Sequence, residues 1–597
     1  MDFYRIETVE QAQDLVKILP EVVAIDTEYV KGDPRTTQLL SIIIADDKRA
    51  WTFPPSLLHV LTPAIRARRL VFLQDYNHCD TIVLYKGGCD IRDQNCFNLI
   101  DMHHLLDENA EHDLGSRVLL EFKDAYKKVF WGKYKNFEDA DPEEALEYQC
   151  KDAIYTYRLG IKDYEELYRD KKLSELYAHV RKLSRALLDT ELAGVCVDVE
   201  LMKHTKQEMS GKIAGYLPKL REEFDEYCKI WEMEKWCEKI KDLKSIKGKL
   251  NAKRPEFSFT SDKQISWLLY DALKLPVIEK TKKGNPSTDF DTLKTLSEDY
   301  PEIATIVEYK EVKSIYSTFV EGMLERVDNG RIYPHFNVSG TATGRISHTD
   351  PNMGNLPKEG IIRNFFLPSP GMVIIGADYA QLEVVVELNL TEDPGLKRIV
   401  LGGESKHDLF KADLDKAGFN LPRSQVKNVN FALQYGAGAK KIAKMVGCDE
   451  TTSNQIIDVF YTTFNGVKQL KNDVNVTLAR EGMVTNLAGR IRRFEATENK
   501  YEVYRQQRQA YNFLIQGVAG EACNRAYYRF AAWCKENRCG RALFSVHDEI
   551  VAEVPPNKVE EATQALISIM EASTEDFSFK YPLKAAPYGP LNFWTKT

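Results

Sequence analysis

Four side chains suited to binding a nucleotide recur every four residues in the run RSQVKNVNFALQYG. They are Arg423, Lys427, Phe431 and Tyr435. On a helix, positions four residues apart fall on one slowly winding stripe, so the pattern aligns two cations followed by two aromatic rings. Cations neutralise phosphate oxygens and flat rings stack on bases, an order that suits a chain of phosphates ending in a base. The alternative is an amphipathic helix with aromatic side chains in the core and solvated cations.

Two aspartates stand at the ends of predicted strands. Asp378 closes the apolar run VIIGADY before a helical segment, and Asp548 lies between the two β-rich arms of LFSVHDEIVAEV, which predicts a hairpin. Carboxylates at strand ends can hold two metal ions between them. Aspartate is also a common turn residue, so either aspartate alone is a weak signal.

A second group of carboxylates lies in the first 160 residues. Asp26 and Glu28 share one face of a predicted strand in VVAIDTEYV, and Asp80 follows. Tyr148 and Asp152 are four residues apart, on one face of a predicted helix. Together these carboxylates could hold two divalent cations about 3.5–4 Å apart and activate a water for phosphodiester hydrolysis. A DxE triplet alone occurs by chance in many proteins.

The overall composition is that of an ordinary soluble globular protein. The 597 residues are 43% hydrophobic and 28% charged, and suffice for about three or four domains. A net charge of −8 argues only weakly against nucleic-acid binding, because cations can be concentrated in one cleft. The eleven cysteines form no CxxC pair and predict reduced thiols. No run reaches transmembrane length and no targeting segment is evident, so we expect a cytoplasmic protein without membrane association.

Three motifs of this chain together resemble the three polymerase motifs of the family A DNA polymerases, the group of bacterial polymerase I and many phage replicases. The motifs are RxxxKxxxFxxxYG, DYxQxE and VHDE. The N-terminal order DxE, D and YxxxD resembles the 3′–5′ proofreading exonuclease of that family. The resemblance extends over essentially the whole chain. It implies a multidomain α/β and α+β fold, in which an RNase H-like (DEDDy) exonuclease domain precedes a right-hand polymerase domain with palm, fingers and thumb.

The resemblance also implies the domain boundaries. The exonuclease domain is expected over residues 1–175 and the polymerase domain over 176–597. Within the latter, the thumb covers about 180–330, the palm about 331–400 and 500–597, and the fingers about 401–499. There is no room before residue 20 for a 5′-nuclease domain, so we expect none.

In the polymerase domain, the resemblance assigns three sets of residues. The expected ligands of two Mg²⁺ ions are Asp378, the backbone carbonyl of Tyr379, and Asp548. The residues expected to bind the dNTP are Gln381, Glu383, His407, Arg423, Lys427, Phe431 and Tyr435. The residues expected to lie along the DNA are Thr341, Arg345, Asn352, Arg508, Asn512, Gln516, His547 and Glu549. Glu383 would fill the space of a ribose 2′-hydroxyl, and phenylalanine at 431 implies discrimination against dideoxynucleotides.

In the exonuclease domain, two further Mg²⁺ ions are implied, and Mn²⁺ can substitute at both sites. The expected metal ligands are Asp26, Glu28, Asp80 and Asp152, with Tyr148 orienting the attacking water. One departure from the family stands out, because an asparagine is usual four residues before the middle aspartate. Here that position is Tyr76 and Asn77 follows. Either the helix start is shifted by one residue or a minor contact is lost.

A lysine-rich stretch at residues 236–257 lengthens the expected thumb tip. Its cations are Lys239, Lys241, Lys244, Lys247, Lys249, Lys253 and Arg254. One interpretation is a grip on the phosphate backbone of the duplex behind the primer end. The alternatives are a solvated helix face and a docking site for a processivity factor or a replisome helicase.

The sequence therefore predicts a proofreading DNA-dependent DNA polymerase of the phage replicative type, acting on primer–template DNA with dNTPs. Two alternatives remain. An RNA-synthesising enzyme could share the palm, although Glu383 and the exonuclease motifs argue against it. A non-catalytic DNA-binding subunit should have lost Asp378 or Asp548, and both are present.

Overall fold

The computed structural model describes residues 1–93, 95–241, 253–281, 284–357, 360–434 and 436–595. The chain divides into two compact units. The first consists of Met1–Val195, Tyr333–Asn355 and Pro368–Phe593, and the second of Cys196–Ile332, Leu356–Leu367 and Trp594–Thr597. Within the described ranges, no helix is both long and apolar enough to cross a membrane. The eleven cysteines, all of which are described, are free thiols, as predicted.

The strands are short and lie at both ends of the chain and in its middle. In chain order they are β1 (Asp2–Arg5), β2 (Val22–Tyr29), β3 (Leu39–Ala45), β4 (Arg49–Phe53), β5 (Leu70–Leu73), β6 (Cys96–Asn98), β7 (Val195–Val197), β8 (Arg331–Ile332), β9 (His335–Asn337), β10 (Ser347–Thr349), β11 (Phe366–Leu367), β12 (Val373–Tyr379), β13 (Met483–Thr485), β14 (Ile491–Arg493), β15 (Arg541–Val546), β16 (Glu549–Val554) and β17 (Ala585–Leu591).

The helices make up most of the remaining ordered chain. In chain order they are α1 (Val9–Ile18), α2 (Leu58–Arg66), α3 (Thr81–Lys86), α4 (Leu99–Leu106), α5 (Leu114–Phe122), α6 (Tyr126–Lys133), α7 (Pro142–Leu167), α8 (Lys171–Ala193), α9 (Val199–Glu223), α10 (Asp225–Lys241), α11 (Asp262–Ser266), α12 (Phe290–Asp299), α13 (Ala304–Ile315), α14 (Gly322–Leu324), α15 (Leu382–Thr391), α16 (Pro394–Gly402), α17 (Lys406–Lys416), α18 (Arg423–Gln434), α19 (Ala439–Val446), α20 (Glu450–Thr463), α21 (Asn465–Glu481), α22 (Lys500–Glu536), α23 (Val559–Glu571) and α24 (Ser573–Asp576).

A six-stranded sheet in the order β1-β4-β3-β2-β5-β6 organises the first 100 residues. Both of its faces are covered, which explains why β3 is an almost continuous apolar run. Ile42 and Ile44 belong to the core on one face, whereas Ile43 belongs to the core on the other face with Ile154 of α7. Because Asp26 of β2 pairs with Ile43, the even-numbered side chains of β2 face α7.

A four-stranded antiparallel sheet in the order β15-β16-β12-β17 forms the centre of the C-terminal part of the first unit. The predicted strand ending at Asp378 is β12, and the predicted hairpin is β15–β16. The register pairs Asp378 with Glu549. The long helix α22 packs against α8, α23 and β15, so the predicted local structure is confirmed around both aspartates.

The second unit contains the segment expected to form the thumb, with helices α9–α14 and the small sheet β11-β7-β8. Part of the lysine-rich tip lies outside the described residues, namely Lys244, Lys247 and Lys249. Among the described cations of the tip, the Arg254 guanidinium lies 4.9 Å from the centre of the Trp236 ring. In the first unit, residues 1–175 are grouped with the C-terminal sheet and its helices.

Three histidines lie together on α4 and the loop that follows it. The Nδ1 atoms of His103 and His112 are 2.9 Å apart, and the His104 ring is buried beside them. Burial, followed by the nearby Arg490 guanidinium, lowers the pKa of His104 to about 3. His104 is therefore neutral in the folded protein at neutral pH.

We predict that His104 contributes to acid destabilisation. An unfolded histidine binds a proton near pH 6.5, whereas folded His104 does not until about pH 3, so lowering the pH below 6.5 favours the unfolded state. The effect amounts to at most about 1.4 kcal/mol per pH unit. The Tm of the wild type should therefore fall more steeply between pH 7 and pH 5 than that of His104→Asn. The exposed His59→Asn is the control, and equal slopes for all three proteins would contradict the prediction.

Candidate active sites

The first candidate site is built around Asp378 and Asp548. The backbone N–H of Tyr379 donates to the Asp548 carbonyl at 3.1 Å, which joins the end of β12 to the β15–β16 turn. The Tyr379 side chain is anchored in the core, where its hydroxyl donates to the Met570 carbonyl at 2.8 Å. Burial first, and then both aspartates, raise the pKa of the Cys523 thiol to about 12. Both carboxylates therefore act electrostatically on one buried thiol, and their oxygens are donors suited to Mg²⁺.

The turn between β15 and β16 sends neighbouring side chains in different directions. His547 has a left-handed backbone with φ 58° and is exposed. Glu549 is only 1% exposed, and its carboxylate accepts a hydrogen bond from the Tyr588 hydroxyl. The resemblance places Glu549 along the DNA, whereas here its carboxylate is buried within the sheet and supports the turn that carries Asp548.

The second part of this site is helix α18, which carries the predicted stripe. Arg423, Lys427 and Phe431 are exposed, and the Phe431 side chain is 46% accessible. The alternative of a core-facing aromatic therefore does not hold for Phe431. Tyr435 lies outside the described residues. The His407 ring centre is 5.4 Å from that of Phe431. Burial lowers the pKa of His407, and the nearby cations Lys427 and Arg423 lower it further.

One partner in this cluster was missed by the sequence analysis. Asp408 accepts two hydrogen bonds from the Arg423 guanidinium, at 2.6 and 3.2 Å. Both side chains are more than half exposed. A phosphate approaching Arg423 would compete with this carboxylate, and the only sequence signal is an acidic residue next to His407.

Helix α22 approaches the end of α18 very closely. Gly436 follows α18 with φ 77°, and a Cβ atom there would lie 2.6 Å from Cγ of Arg508. Only glycine combines this backbone conformation with that proximity. Arg508, Asn512 and Gln516 recur every four residues on the less buried face of α22, so these three side chains share one surface, called the α22 stripe below.

A cavity of about 230 Å³ gathers most of the other residues predicted to lie along DNA. Its lining includes Thr341, Arg345, Asn352 and His547. Two further contacts fix its walls. Arg345 forms an ion pair with Glu383 of α15, and the Asn524 amide donates to the Gly344 carbonyl at 2.9 Å. Gln381 precedes α15 with φ 53° and is exposed.

The second candidate site lies between β2 and α7. Carboxylate oxygens of Asp26, Glu28 and Asp152 lie within 4.8 Å of one another. Burial raises the pKa of Asp26 and Glu28 well above the ordinary values, and repulsion from Asp152 adds to the effect. Asp80 accepts a hydrogen bond from Thr27 at 2.8 Å, and burial raises its pKa to about 7. Such crowded carboxylates are stabilised by bound cations.

A lysine that the sequence analysis did not select lies inside this cluster. The Lys127 ammonium is 2.6 Å from Oδ2 of Asp152, and the Tyr126 hydroxyl donates to the other oxygen. Lys127 and the Trp131 indole also reach the Tyr148 hydroxyl, at 3.3 and 3.1 Å. Tyr148 and Asp152 are thus on one face of α7, as predicted.

The departure from the family at Tyr76 has a structural counterpart. Residues Tyr76–Asp80 form a π-helical turn directly before α3. Such a turn accommodates one additional residue. The Tyr76 side chain is buried, with its hydroxyl donating to the Arg92 carbonyl at 3.0 Å. This geometry favours the first of the two explanations, a helix start shifted by one residue.

Comparisons with known proteins agree on one family. A family model described as DNA polymerase family A matches residues 232–589. DNA polymerase I of Geobacillus stearothermophilus is 32% identical over 351 residues, covering 56% of this chain and 40% of that protein. DNA polymerase I of Pseudomonas aeruginosa is 26% identical over 602 residues, covering 93% of this chain and 61% of that protein. The chain thus spans less than two thirds of the length of these relatives.

A solved structure has the same fold. It is described as the POL domain of Pol1 from M. smegmatis in complex with DNA primer-template and dNTP. The TM-score is 0.78, the match covers 98% of this chain and 99% of that one, and the sequence identity is 22%. At this identity the likeness establishes the fold.

We predict that Lys127 occupies the position of a cation in the carboxylate cluster. Lys127→Met should lower the free energy of unfolding in EDTA by about 1–3 kcal/mol, somewhat less than for a fully buried pair because Lys127 is partly exposed. Added Mg²⁺ should then raise the Tm of Lys127→Met more than that of the wild type, since the ion no longer competes with the ammonium. The neighbouring exposed Lys128→Met is the matched control. An equal Mg²⁺ response in all three proteins would show that Lys127 and the metal do not share this position.

Proposed function

The chain belongs to DNA polymerase family A, and on that premise we propose that it is a DNA-dependent DNA polymerase that extends a primer 3′ end with dNTPs. The observation that carries the proposal is the register of β12 against β16, which brings Asp378 and Asp548 together. The similar M. smegmatis domain, whose structure holds primer-template DNA and dNTP, supports the same ligands here.

Asp378, Asp548 and the Tyr379 carbonyl would hold two Mg²⁺ ions, which supply activation of the primer hydroxyl and neutralise charge on the leaving pyrophosphate. The side chains of the protein do the rest. Arg423 and Lys427 bind the phosphates and stabilise the charge that develops at the α-phosphorus. For this, Arg423 must exchange its bond with Asp408 for a phosphate oxygen. His407 approaches the triphosphate from α17, and Phe431 packs against the sugar and base.

Specificity for deoxynucleotides is assigned to Glu383. Its carboxylate pairs with Arg345, which restrains the side chain, and the family resemblance supports a position where a ribose 2′-hydroxyl would have to fit. Gln381 lies at the start of the same helix. Competition between dNTPs and NTPs separates this proposal from an RNA-synthesising enzyme, because a DNA polymerase should incorporate dNTPs in strong preference.

We propose a DNA path over the first unit from the residues that the family resemblance assigns. The cavity side chains Thr341, Arg345 and Asn352 contact the primer–template together with His547. The α22 stripe contacts the template strand, and Glu549 positions the turn that carries Asp548. From the sequence resemblance we propose a phage-type replicative role, with residues 176–597 as the polymerase domain. The lysine-rich tip would contact DNA or a replisome protein.

We further propose 3′–5′ proofreading exonuclease activity in residues 1–175. Asp26, Glu28, Asp80 and Asp152 would hold two Mg²⁺ ions, with Mn²⁺ as a substitute, that activate a water for phosphodiester hydrolysis. The Tyr148 hydroxyl orients that water, and Lys127 balances the charge of the cluster. The support is the convergence of Asp26, Glu28 and Asp152 on the face of α7 that carries Tyr148.

The primary test is primer extension on a recessed template with Mg²⁺, with and without dNTPs. We expect extension with dNTPs in the wild type and a loss of at least about two to three orders of magnitude in Asp378→Ala. Without dNTPs, the wild type and Asp378→Ala should both shorten the primer, whereas Asp26→Ala should not. Each variant thereby serves as the folding control for the other. Extension that persists in Asp378→Ala, or shortening that persists in Asp26→Ala, would refute the corresponding assignment.

A second prediction concerns Phe431. Because its exposed ring faces the nucleotide sugar, Phe431→Tyr adds a hydroxyl that can replace the missing 3′-hydroxyl of a dideoxynucleotide. Incorporation of ddNTPs relative to dNTPs should rise by about tenfold or more, equivalent to about 1.4 kcal/mol. Phe431→Leu, which adds no hydroxyl, is the control. An unchanged ddNTP/dNTP ratio in Phe431→Tyr would place the ring away from the sugar.

A further inference from the structure

His348 is a buried side chain that none of the assigned roles uses. It lies in the middle of β10 and is 4% exposed. Its ring packs edge-on against Phe336, with 5.2 Å between ring centres. Among the described residues, neither ring nitrogen has a hydrogen-bond partner. Burying two unpaired polar atoms is unfavourable, so a buried histidine of this kind is expected to find its partner in a ligand.

The His348 ring lines the same cavity as Arg345, Asn352 and His547. Gly354 lies beside the ring: a Cβ atom at that position would be in ordinary van der Waals contact with Nδ1 of His348, at 3.8 Å, and in a tighter contact with Oδ1 of Asn352, at 3.3 Å. Burial, and then His547, lower the pKa of His348 to about 4. The ring is therefore neutral at pH 7, with one N–H donor and one acceptor nitrogen.

The chemistry of the cavity indicates what such a donor would meet. A polymerase must accept all four base pairs at every position, so its contacts to bases cannot depend on a sequence-specific pattern. The minor groove offers such a common feature, because purine N3 and pyrimidine O2 are acceptors in every pair. Arg345, Asn352 and His348 all offer N–H donors in one cavity. A neutral, buried ring is poorly suited to a phosphate, which favours a cation.

We propose that His348 is a DNA-contacting residue that donates its ring N–H to a minor-groove acceptor, purine N3 or pyrimidine O2, of a base pair near the primer terminus. The inference rests on the proposed polymerase function and deepens it, since it adds a specific base contact to the DNA path. A mismatched pair displaces these acceptors, so the contact also contributes to the recognition of correctly paired primer ends.

The test combines a protein substitution with a change of one atom in the DNA. Single-turnover extension is measured on primer–templates in which one purine at each of the last four base pairs is replaced in turn by its 3-deaza analogue. The analogue carries C–H in place of the N3 acceptor. The proteins are the wild type, His348→Phe, which keeps the packing against Phe336, and His348→Gln, which retains an N–H donor. The exposed His59→Phe is the matched control.

We expect the wild type and His59→Phe to lose about tenfold in extension rate or DNA affinity at one particular position. His348→Phe should show a similar loss on unmodified DNA and no further loss from the analogue at that position, because the interaction is already absent. His348→Gln should recover part of the sensitivity. This non-additivity is specific to a contact between the His348 ring and the N3 atom of the purine, and a purely structural role of His348 would not produce it.

Additive losses at all four positions would overturn the proposal, as expected if the ring only fills space or binds a structural water. The proposal would also be overturned if the loss in His348→Phe were non-additive with a methylphosphonate linkage and not with the 3-deaza base. That result would indicate a phosphate contact. A wild type that fails to extend unmodified primers would refute the proposed polymerase function itself. The two failures are thus distinguishable. Tm values for each variant confirm that it is folded.

Discussion

The backbone register between β12 and β16 is the constraint on which the proposed polymerase site depends. It places Asp378 opposite Glu549 and lets Tyr379 bond to the Asp548 backbone. Since side chains alternate along a strand, a slip of one residue would turn Asp378 to the opposite face of the sheet. The register is in turn fixed by the core, where Tyr379 is anchored to Met570 and Glu549 to Tyr588.

Both candidate sites concentrate negative charge, and the structure balances that charge in different ways. In the N-terminal site, Lys127 contacts Asp152 inside a carboxylate cluster in which Asp26 and Glu28 have raised pKa values. In the C-terminal site, the cations of α18 stand on an exposed helix, with Arg423 paired to Asp408. A chain with net charge −8 can therefore present local cationic surfaces to nucleic acid, because the sum over all residues does not describe the distribution.

Glycines let arginine side chains pack closely against neighbouring elements around the proposed DNA path. Gly436 allows the end of α18 to meet Arg508 of α22, and a Cβ at Gly520 of α22 would come within 2.9 Å of the Arg345 side chain. One long helix thereby contacts both the end of α18, which carries the exposed stripe, and the cavity lined by His348. Small changes at these contacts are expected to affect both surfaces, because packed elements transmit displacement.

The sequence by itself determined the local arrangements: Asp26 and Glu28 on one strand face, Tyr148 and Asp152 on one helix face, the hairpin around Asp548, and the period-four stripe of α18, whose exposure only the structure showed. Strand and helix periodicity relate residues two or four positions apart, so these patterns are readable without a fold. Lys127, Asp408 and His348 were not selected, since each acquires its role from residues brought near it by folding. Only the tertiary structure decided that Lys127, rather than another lysine, meets Asp152, and that His348 is buried against a cavity. Such contacts depend on packing between elements, and no local spacing encodes them.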